Sequence, residues 1–402
     1  MKKFRLWSLI TMITLICVGN MLVACGGDDN GDTPPPPATK IVVSPTAELL
    51  GNVSSTTTVS VSIQSDEMWT ISGVPEWLSL NRSGVGPSSV LITATQENFS
   101  DTEREAELVF STSDGSSTAT CKVSQKGVLA KNCRVNLGET TVMWDGFVTD
   151  LGFDANCKGY REAFFTARAV DDMTERDIYN MLMEKTEYSK KADYTFSPIV
   201  TEEGLEIVYC VAAYGSEANT DGSHKYGPMT MKHIKLPMKT PESTMYLNLS
   251  YTSSTWSVNA LREGRYGQKC DEYYYAAWEG EAASEFHSLT IMNSALIAHA
   301  IKKEIAKDGY TSNYKYGPQK MSWSRNSNTF FCATWGKNKD TKEFSTLLGY
   351  VYKNMSSNSY NGTIMKSDLK DKTIDLREKY PLMKDLLKQV SVTVMTDKNA
   401  IK

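Results

Sequence analysis

Tyr209-Cys210-Val211-Ala212-Ala213-Tyr214-Gly215 and Phe331-Cys332-Ala333-Thr334-Trp335-Gly336 are two versions of one aromatic, Cys-bearing strand ending in glycine, and they open a repeat that runs back through both halves of the chain. Upstream of the first version stand Tyr194-Thr195-Phe196-Ser197-Pro198, and upstream of the second Tyr314-Lys315-Tyr316-Gly317-Pro318. Further back, Cys157 precedes Ala163-Phe164-Phe165-Thr166-Ala167 as Cys270 precedes Tyr273-Tyr274-Tyr275-Ala276-Ala277, and Asn136-Leu137 lies before Trp144 as Asn248-Leu249 lies before Trp256. The offset between copies grows from 112 at Asn136 and Asn248 to 122 at Cys210 and Cys332. The extra length falls at a predicted helix, spanning Met173 to Lys185 in the first copy and roughly Glu285 to Lys307 in the second. In the latter Phe286, Leu289, Met292, Leu296, His299 and Ile301 recur at near-helical spacing, which predicts one side packed on a sheet.

An early-strand Trp with a late strand of the type Tyr-x-Val-x-Ala-Tyr-Gly resembles a fibronectin type III-like domain. That resemblance implies tandem immunoglobulin-like β-sandwiches, a mainly β fold, the second and third with inserted helices. Pro237 and Pro241 suit an extended linker between copies, so the units are placed at 129–238 and 239–402. A tail after Met355 adds a helical candidate around Leu376 to Val390 and an alternating run at Val392 and Val394.

Ahead of the repeat, residues 40–128 read as all-β, with Val42, Val61, Ile63, Leu91, Ile92, Leu108, Phe110 and Val123 in short stretches separated by Gly, Pro and Asn. Trp69-Thr70-Ile71, then Val74-Pro75-Glu76-Trp77-Leu78, Gly84-Val85-Gly86, Asn98, Arg104-Glu105-Ala106 and the closing Val123-Ser124-Gln125-Lys126-Gly127 follow in order. Together they resemble the BACON domain, an immunoglobulin-like sandwich of Bacteroidetes surface proteins. The resemblance implies carbohydrate binding, to mucin among other glycans, or a spacer role. Trp69 and Trp77 have two readings, stacking on sugar faces or filling the core beside Ile71 and Leu78.

The first 39 residues set an expected address. Lys2, Lys3 and Arg5 precede the apolar Leu6 to Val18, and Leu22-Val23-Ala24-Cys25 resembles a bacterial lipobox. This implies a signal peptide at 1–24, acylation of Cys25 and anchoring in outer-membrane lipid. Residues 25–39, acidic and then Pro-rich, read as a flexible tether, and acids directly after the Cys resemble the surface-export signal of Bacteroidetes lipoproteins. Removal of three positive charges with the leader moves the formal charge from -4 to about -7, unfavourable for nucleic acid. No other apolar run is long enough to span a membrane.

Recurrence of Cys157 with Cys210, and of Cys270 with Cys332, leaves two readings: disulfides between neighbouring strands, or buried thiols acting as small hydrophobes. There is no CxxC and the four His are scattered, so neither a metal nor another cofactor is expected. No nucleophile-elbow, HExxH, P-loop or dinucleotide motif occurs. Adjacent acids such as Glu202-Glu203, or Glu279 with Glu281, read as solvated surface rather than a glycosidase pair, and His287 and His299 fall on different helical sides. The chain is therefore expected to be a non-catalytic surface lipoprotein binding glycan through Tyr274, Trp278, Trp323 and Trp335. The alternative is an adhesin or structural spacer with a protein partner.

Overall fold

The computed structural model describes residues 40–51, 58–197, 200, 202–252, 255–281, 283–284, 287, 294–308, 319–323, 329–354, 360–361, 372–374 and 390–392. The leader, Cys25, the tether, Tyr314 to Pro318 and most of the tail, with its helical candidate, lie outside these residues. Among them the chain is mainly β and forms immunoglobulin-like sandwiches, the later ones carrying helices.

The first unit contains β1 (Val42–Ser44), β2 (Ala47–Leu50), β3 (Thr58–Gln64), β4 (Met68–Ser72), β5 (Leu78–Ser79), β6 (Ser83–Val85), β7 (Ser88–Ala94), β8 (Arg104–Thr112) and β9 (Thr118–Gln125). Sheet β1-β3-β7-β5 faces sheet β2-β9-β8-β4-β6, in which β2 runs parallel to β9. Period-two alternation drives this: on β4, Trp69 and Ile71 point inward while Met68, Thr70 and Ser72 face water. The core gathers Val61, Ile63, Trp69, Ile92, Leu108, Phe110 and Val123 from both sheets.

In the second unit β10 (Val135–Met143), β11 (Gly146–Phe153) and β14 (Tyr194–Phe196) form one sheet. The other is centred on β12 (Gly159–Thr166) and β15 (Glu206–Ala218), with β13 (Glu187–Tyr188), β16 (His224–Tyr226) and β17 (Thr230–Lys235). Helices α1 (Ala167–Val170) and α2 (Glu175–Met183) follow β12. A reciprocal capping box starts α2: the Asp177 amide donates to Thr174 Oγ1 and the Thr174 amide to the Asp177 carboxylate, satisfying two donors that a helix start leaves open.

The unbroken apolar run of β15 is explained by cover on both faces. Ile207, Tyr209, Val211 and Ala213 meet Val135, Phe147 and Leu151 inside the sandwich, while Val208, Cys210, Ala212 and Tyr214 meet Ile178 and Leu182 of α2.

The third unit repeats the strand plan with β18 (Tyr246–Thr252), β19 (Thr255–Leu261) and β21 (Gln319–Trp323) facing β20 (Cys270–Glu279), β22 (Thr329–Asn338), β23 (Gly349–Asn354) and β24 (Tyr360–Asn361). Its helix α3 (Ser294–Asp308) packs against β10 and β11 of the second unit. One core cluster thus joins Met143, Val148, Tyr194 and Phe196 of the second unit to Leu296, Ile297 and Ile301 of α3 and to Phe331, Trp335 and Tyr350 of the third. A last pair, β25 (Lys372–Ile374) with β26 (Val390–Val392), is antiparallel.

Two features differ from the sequence expectation. The segment predicted as an extended linker carries a 3-10 turn at Pro241–Ser243, and Thr240 is held by Thr346 through its amide at 3.0 Å. The Trp144 and Trp256 correspondence is not a structural one. Trp144 occupies the turn between β10 and β11, whose ladder shifts register between Leu137 and Thr140, whereas Trp256 pairs within β19.

Candidate functional site

In the first unit, the residues that carry the resemblance close the sandwich. Trp69 is 2% exposed and donates its indole N–H to Gly86 O at 3.1 Å. A Cβ at Gly84 would lie 2.2 Å from the Trp69 ring, so glycine there is what seats the indole. Buried Asn98 donates to Thr102 O and Gln125 O at 2.8 and 3.0 Å. Arg104 donates to Gln125 Oε1 at 2.8 Å and covers the half-buried Trp77 ring at 4.5 Å. Gly127 passes so close to the backbone that a Cβ would meet Ser100 O at 2.2 Å.

That closing loop also docks the next unit. Phe99 meets Tyr179 of α2 edge-on at 5.2 Å with Arg176 over the Phe99 ring at 4.6 Å, and Arg134 grips the mostly buried Asp101 through two nitrogens at 2.8 and 3.2 Å.

The four aromatics singled out for glycan binding are distributed as follows. Trp335 is 5% exposed, stacks on Phe344 at 4.0 Å and donates to Ser345 O at 2.8 Å, so no ring face is open. Tyr274, half-buried, packs on the same cluster and donates its hydroxyl to Glu272; burial first, then that carboxylate, pushes its phenol up to about 12. Trp278 is half-buried beside Phe331 at 5.6 Å. Trp323 ends β21, its backbone paired with that of Trp256. Tyr274 and Trp278 share one strand face, four residues or about 13 Å apart.

Of the two readings of the repeated cysteines, bridging of Cys157 with Cys210 and of Cys270 with Cys332 is corrected by the strand register. Cys121, Cys133, Cys157, Cys210, Cys270 and Cys332 are all buried. Cys210 pairs in register with Ala163 of β12, six residues along the chain from Cys157, and Cys332 with Ala277, seven from Cys270. At about 3.4 Å per residue both separations far exceed the 7 Å limit on bridged Cα atoms. The two late-strand thiols moreover face opposite ways: Cys210 meets α2, while Cys332 meets Leu247, Val258 and Ala260 inside its sandwich. Burial pushes each up to about 12.

A set of titratable side chains lies between the two repeats. Asp145, in the β10–β11 turn and fully buried, accepts from the Ser294 amide at 3.1 Å and from the Ser294 hydroxyl at the start of α3. Burial outweighs these bonds and raises its carboxyl to about 6. One turn on, His299 is 2% exposed, with Nε2 3.3 Å from Asp150 and Nδ1 3.2 Å from Thr141 Oγ1. That geometry suits a neutral imidazole donating from Nε2 and accepting at Nδ1. Burial lowers its pKa, Asp150 raises it, and Lys303, itself 3.1 Å from Asp150, lowers it. Lys302 pairs with Glu139. Inside the second sandwich Glu162 accepts from the Tyr209 hydroxyl at 2.9 Å, and burial raises it to about 7.

Spacing gave no sign of Asp145, in a turn, or of Asp150, within β11. Glu162 was detectable as the lone acid in an aromatic strand. The arrangement fixes one repeat on the other: Asp150 and Glu139 of the second unit pair with His299, Lys303 and Lys302 of α3, and Asp145 accepts from Ser294 at its start. Among the described residues there is no group of three or more His, Cys, Asp or Glu placed to hold a metal, and no helix long and apolar enough to cross a membrane.

No protein-family model and no curated protein matches the chain. Among solved structures, similarity is found to a Bacteroides ovatus GH5 xyloglucanase in complex with a XXXG heptasaccharide, at 23% identity over 22% of this chain and 19% of that one, with a TM-score of 0.20. The FN1–FN3 domains of chicken CNTN1 match 73% of this chain and 94% of theirs, at 10% identity and a TM-score of 0.23. Extracellular cadherin domains 1–4 of protocadherin gamma B7 match half of each chain at 10% identity and a TM-score of 0.23.

Proposed function

We propose that the chain is a non-catalytic surface lipoprotein, anchored in the outer membrane through acylated Cys25, whose packed sandwiches act as a structural spacer or adhesin presenting its distal surface to a protein partner. The BACON-like sequence of 40–128 and the lipobox support the setting. What carries the spacer reading is the engagement of aromatic rings in packing: Trp69, Trp144 and Trp335 are buried, and Phe99, Tyr194 and Tyr350 sit at or beside unit boundaries. Jointed domains would leave such rings free, whereas here both boundaries are filled.

A second reading, polysaccharide or mucin-glycan binding, is favoured by Tyr274 and Trp278, half-buried on one face of β20. A glycan array probed with residues 25–402 separates the two. The spacer reading expects no specific binding, and a signal abolished by Tyr274→Ala or Trp278→Ala in a folded protein would replace it with the glycan one. Metabolic labelling with a fatty-acid analogue tests the anchor: label should vanish in Cys25→Ala, and persistence would refute it.

A further inference from the structure

We propose that the second unit is closed by a disulfide between Cys133 and Cys157, a pairing that the repeat pattern hides. The two sulfurs lie 3.1 Å apart, with both residues buried, at 1% and 3% exposure. They flank the open end of the β10–β11 hairpin, whose outermost register pair is Val135 with Phe153. Just outside that pair the Arg134 amide donates to Asp154 Oδ2 at 2.9 Å, and the Asp154 amide donates back to Arg134 O at 3.1 Å. The backbone on either side of the thiols is therefore fixed before any bond forms, and closing the sulfurs needs a shift of about 1 Å.

The third unit supplies an internal control. Gly227 approaches Cys133 so closely that a Cβ would lie 2.0 Å from the Cys133 carbonyl oxygen, and Gly349 stands in the same relation to Met245. Met245 thus occupies the place of Cys133 in the other copy. Cys270, in the place of Cys157, shares its core cluster with Met245 and Cys332, and its thiol donates to Glu272 O at 3.2 Å. At this place one repeat holds two cysteines and the other a methionine and a cysteine.

Formation removes both S–H hydrogens as two protons, joins the sulfurs, and passes two electrons to the disulfide of a thiol–disulfide oxidant, which leaves as a dithiol. The bond therefore rests on the export reading for its setting in the cell, since reducing compartments keep such pairs open. Its geometry does not. Because both thiols are sealed in the folded unit, oxidation accompanies folding.

The experiment refolds the reduced ectodomain, residues 26–402, in a mixture of oxidised and reduced glutathione, blocks free thiols with iodoacetamide in denaturant, and maps peptides without reduction. The expected product is a single link, Cys133 to Cys157, with Cys121, Cys210, Cys270 and Cys332 alkylated. In addition, reductant should lower the Tm of the wild type by several degrees and leave that of Cys133→Ala/Cys157→Ala unchanged. Full alkylation of Cys133 and Cys157, or a link using any other cysteine, overturns the proposal, as does a wild-type Tm insensitive to reductant. The same map on protein taken from the native cell envelope tests the export reading separately: a link formed by refolding but absent there removes that reading and leaves the geometric one standing.

Discussion

The two repeats solve one problem in different ways. Each has a central strand, β15 or β22, buried on both faces, and each needs something to cover the face turned away from its own sandwich. The second unit uses its own α2, capped locally by Thr174 and Asp177. The third uses α3, which is laid against β10 and β11 of its neighbour, receives Asp145 from that neighbour at its start, and buries Phe331 and Trp335 on its other side. A helix that covers one sheet makes a domain, and a helix shared by two sheets makes a joint. Insertion length decides between them, since nine residues span about 14 Å and fifteen about 23 Å.

The comparison can be broken most severely at the cores. Phe331→Ala, in the shared cluster, should lose about 3–5 kcal/mol and lower the denaturant midpoint of the second and third units together. Leu182→Ala on α2 should lose about 2–5 kcal/mol while leaving amide protection of α3 intact. Loss confined to the third unit in the first variant would show that α3 is not shared.

Buried acids give a difference with pH. Folded Glu162 keeps its proton up to about 7 against an ordinary 4.5, and Asp145 up to about 6 against 3.8. A folded pKa raised for a carboxyl means that the native state holds the extra proton, so stability falls as pH rises through these windows and the loss is complete above the folded value. For Glu162 the shift corresponds to roughly 3 kcal/mol as an upper figure. His299 acts oppositely, its lowered pKa withdrawing stability as pH falls below the ordinary 6.5. Glu162→Gln, which can still accept from Tyr209, should therefore be close to neutral at pH 5 and stabilising by about 2–3 kcal/mol at pH 8 in urea titrations. Equal effects at both pH values would refute the assignment.

The caps sharpen the contrast at smaller cost. Asp145→Ala leaves the buried Ser294 amide and hydroxyl without that acceptor, for about 1–3 kcal/mol, and should speed hydrogen exchange across α3 although the substitution lies in the other unit. Thr174→Ala should lose about 1 kcal/mol and speed exchange in α2 alone.

Much of this architecture was legible in the chain. Alternation around Trp69 and Ile71, the glycines beside them, and the recurrence of an aromatic Cys-bearing strand point to tandem sandwiches because those features are local and set by strand periodicity. Facing was not legible. Cys210 and Cys332 align by eye, yet a shift of one residue sends them to opposite faces, and strand residues change side at every step. The aromatics of the third unit read as a binding row for the same reason: a ring that meets sugar and a ring that meets a neighbouring helix look alike in sequence. Asp145, Asp150 and His299 acquire their roles only from a contact between residues some 150 positions apart.

That contact can be tested directly by zero-length carbodiimide coupling of amines to carboxylates in the intact ectodomain, followed by peptide mapping. Lys303 should be found joined to Asp150 and Lys302 to Glu139 within single chains, with the exposed pair Lys122 and Glu105 of the first unit as positive control. If the control pair couples while Lys302 and Lys303 link only to carboxylates of their own unit, the shared helix, and with it the account of how the two repeats are joined, is contradicted.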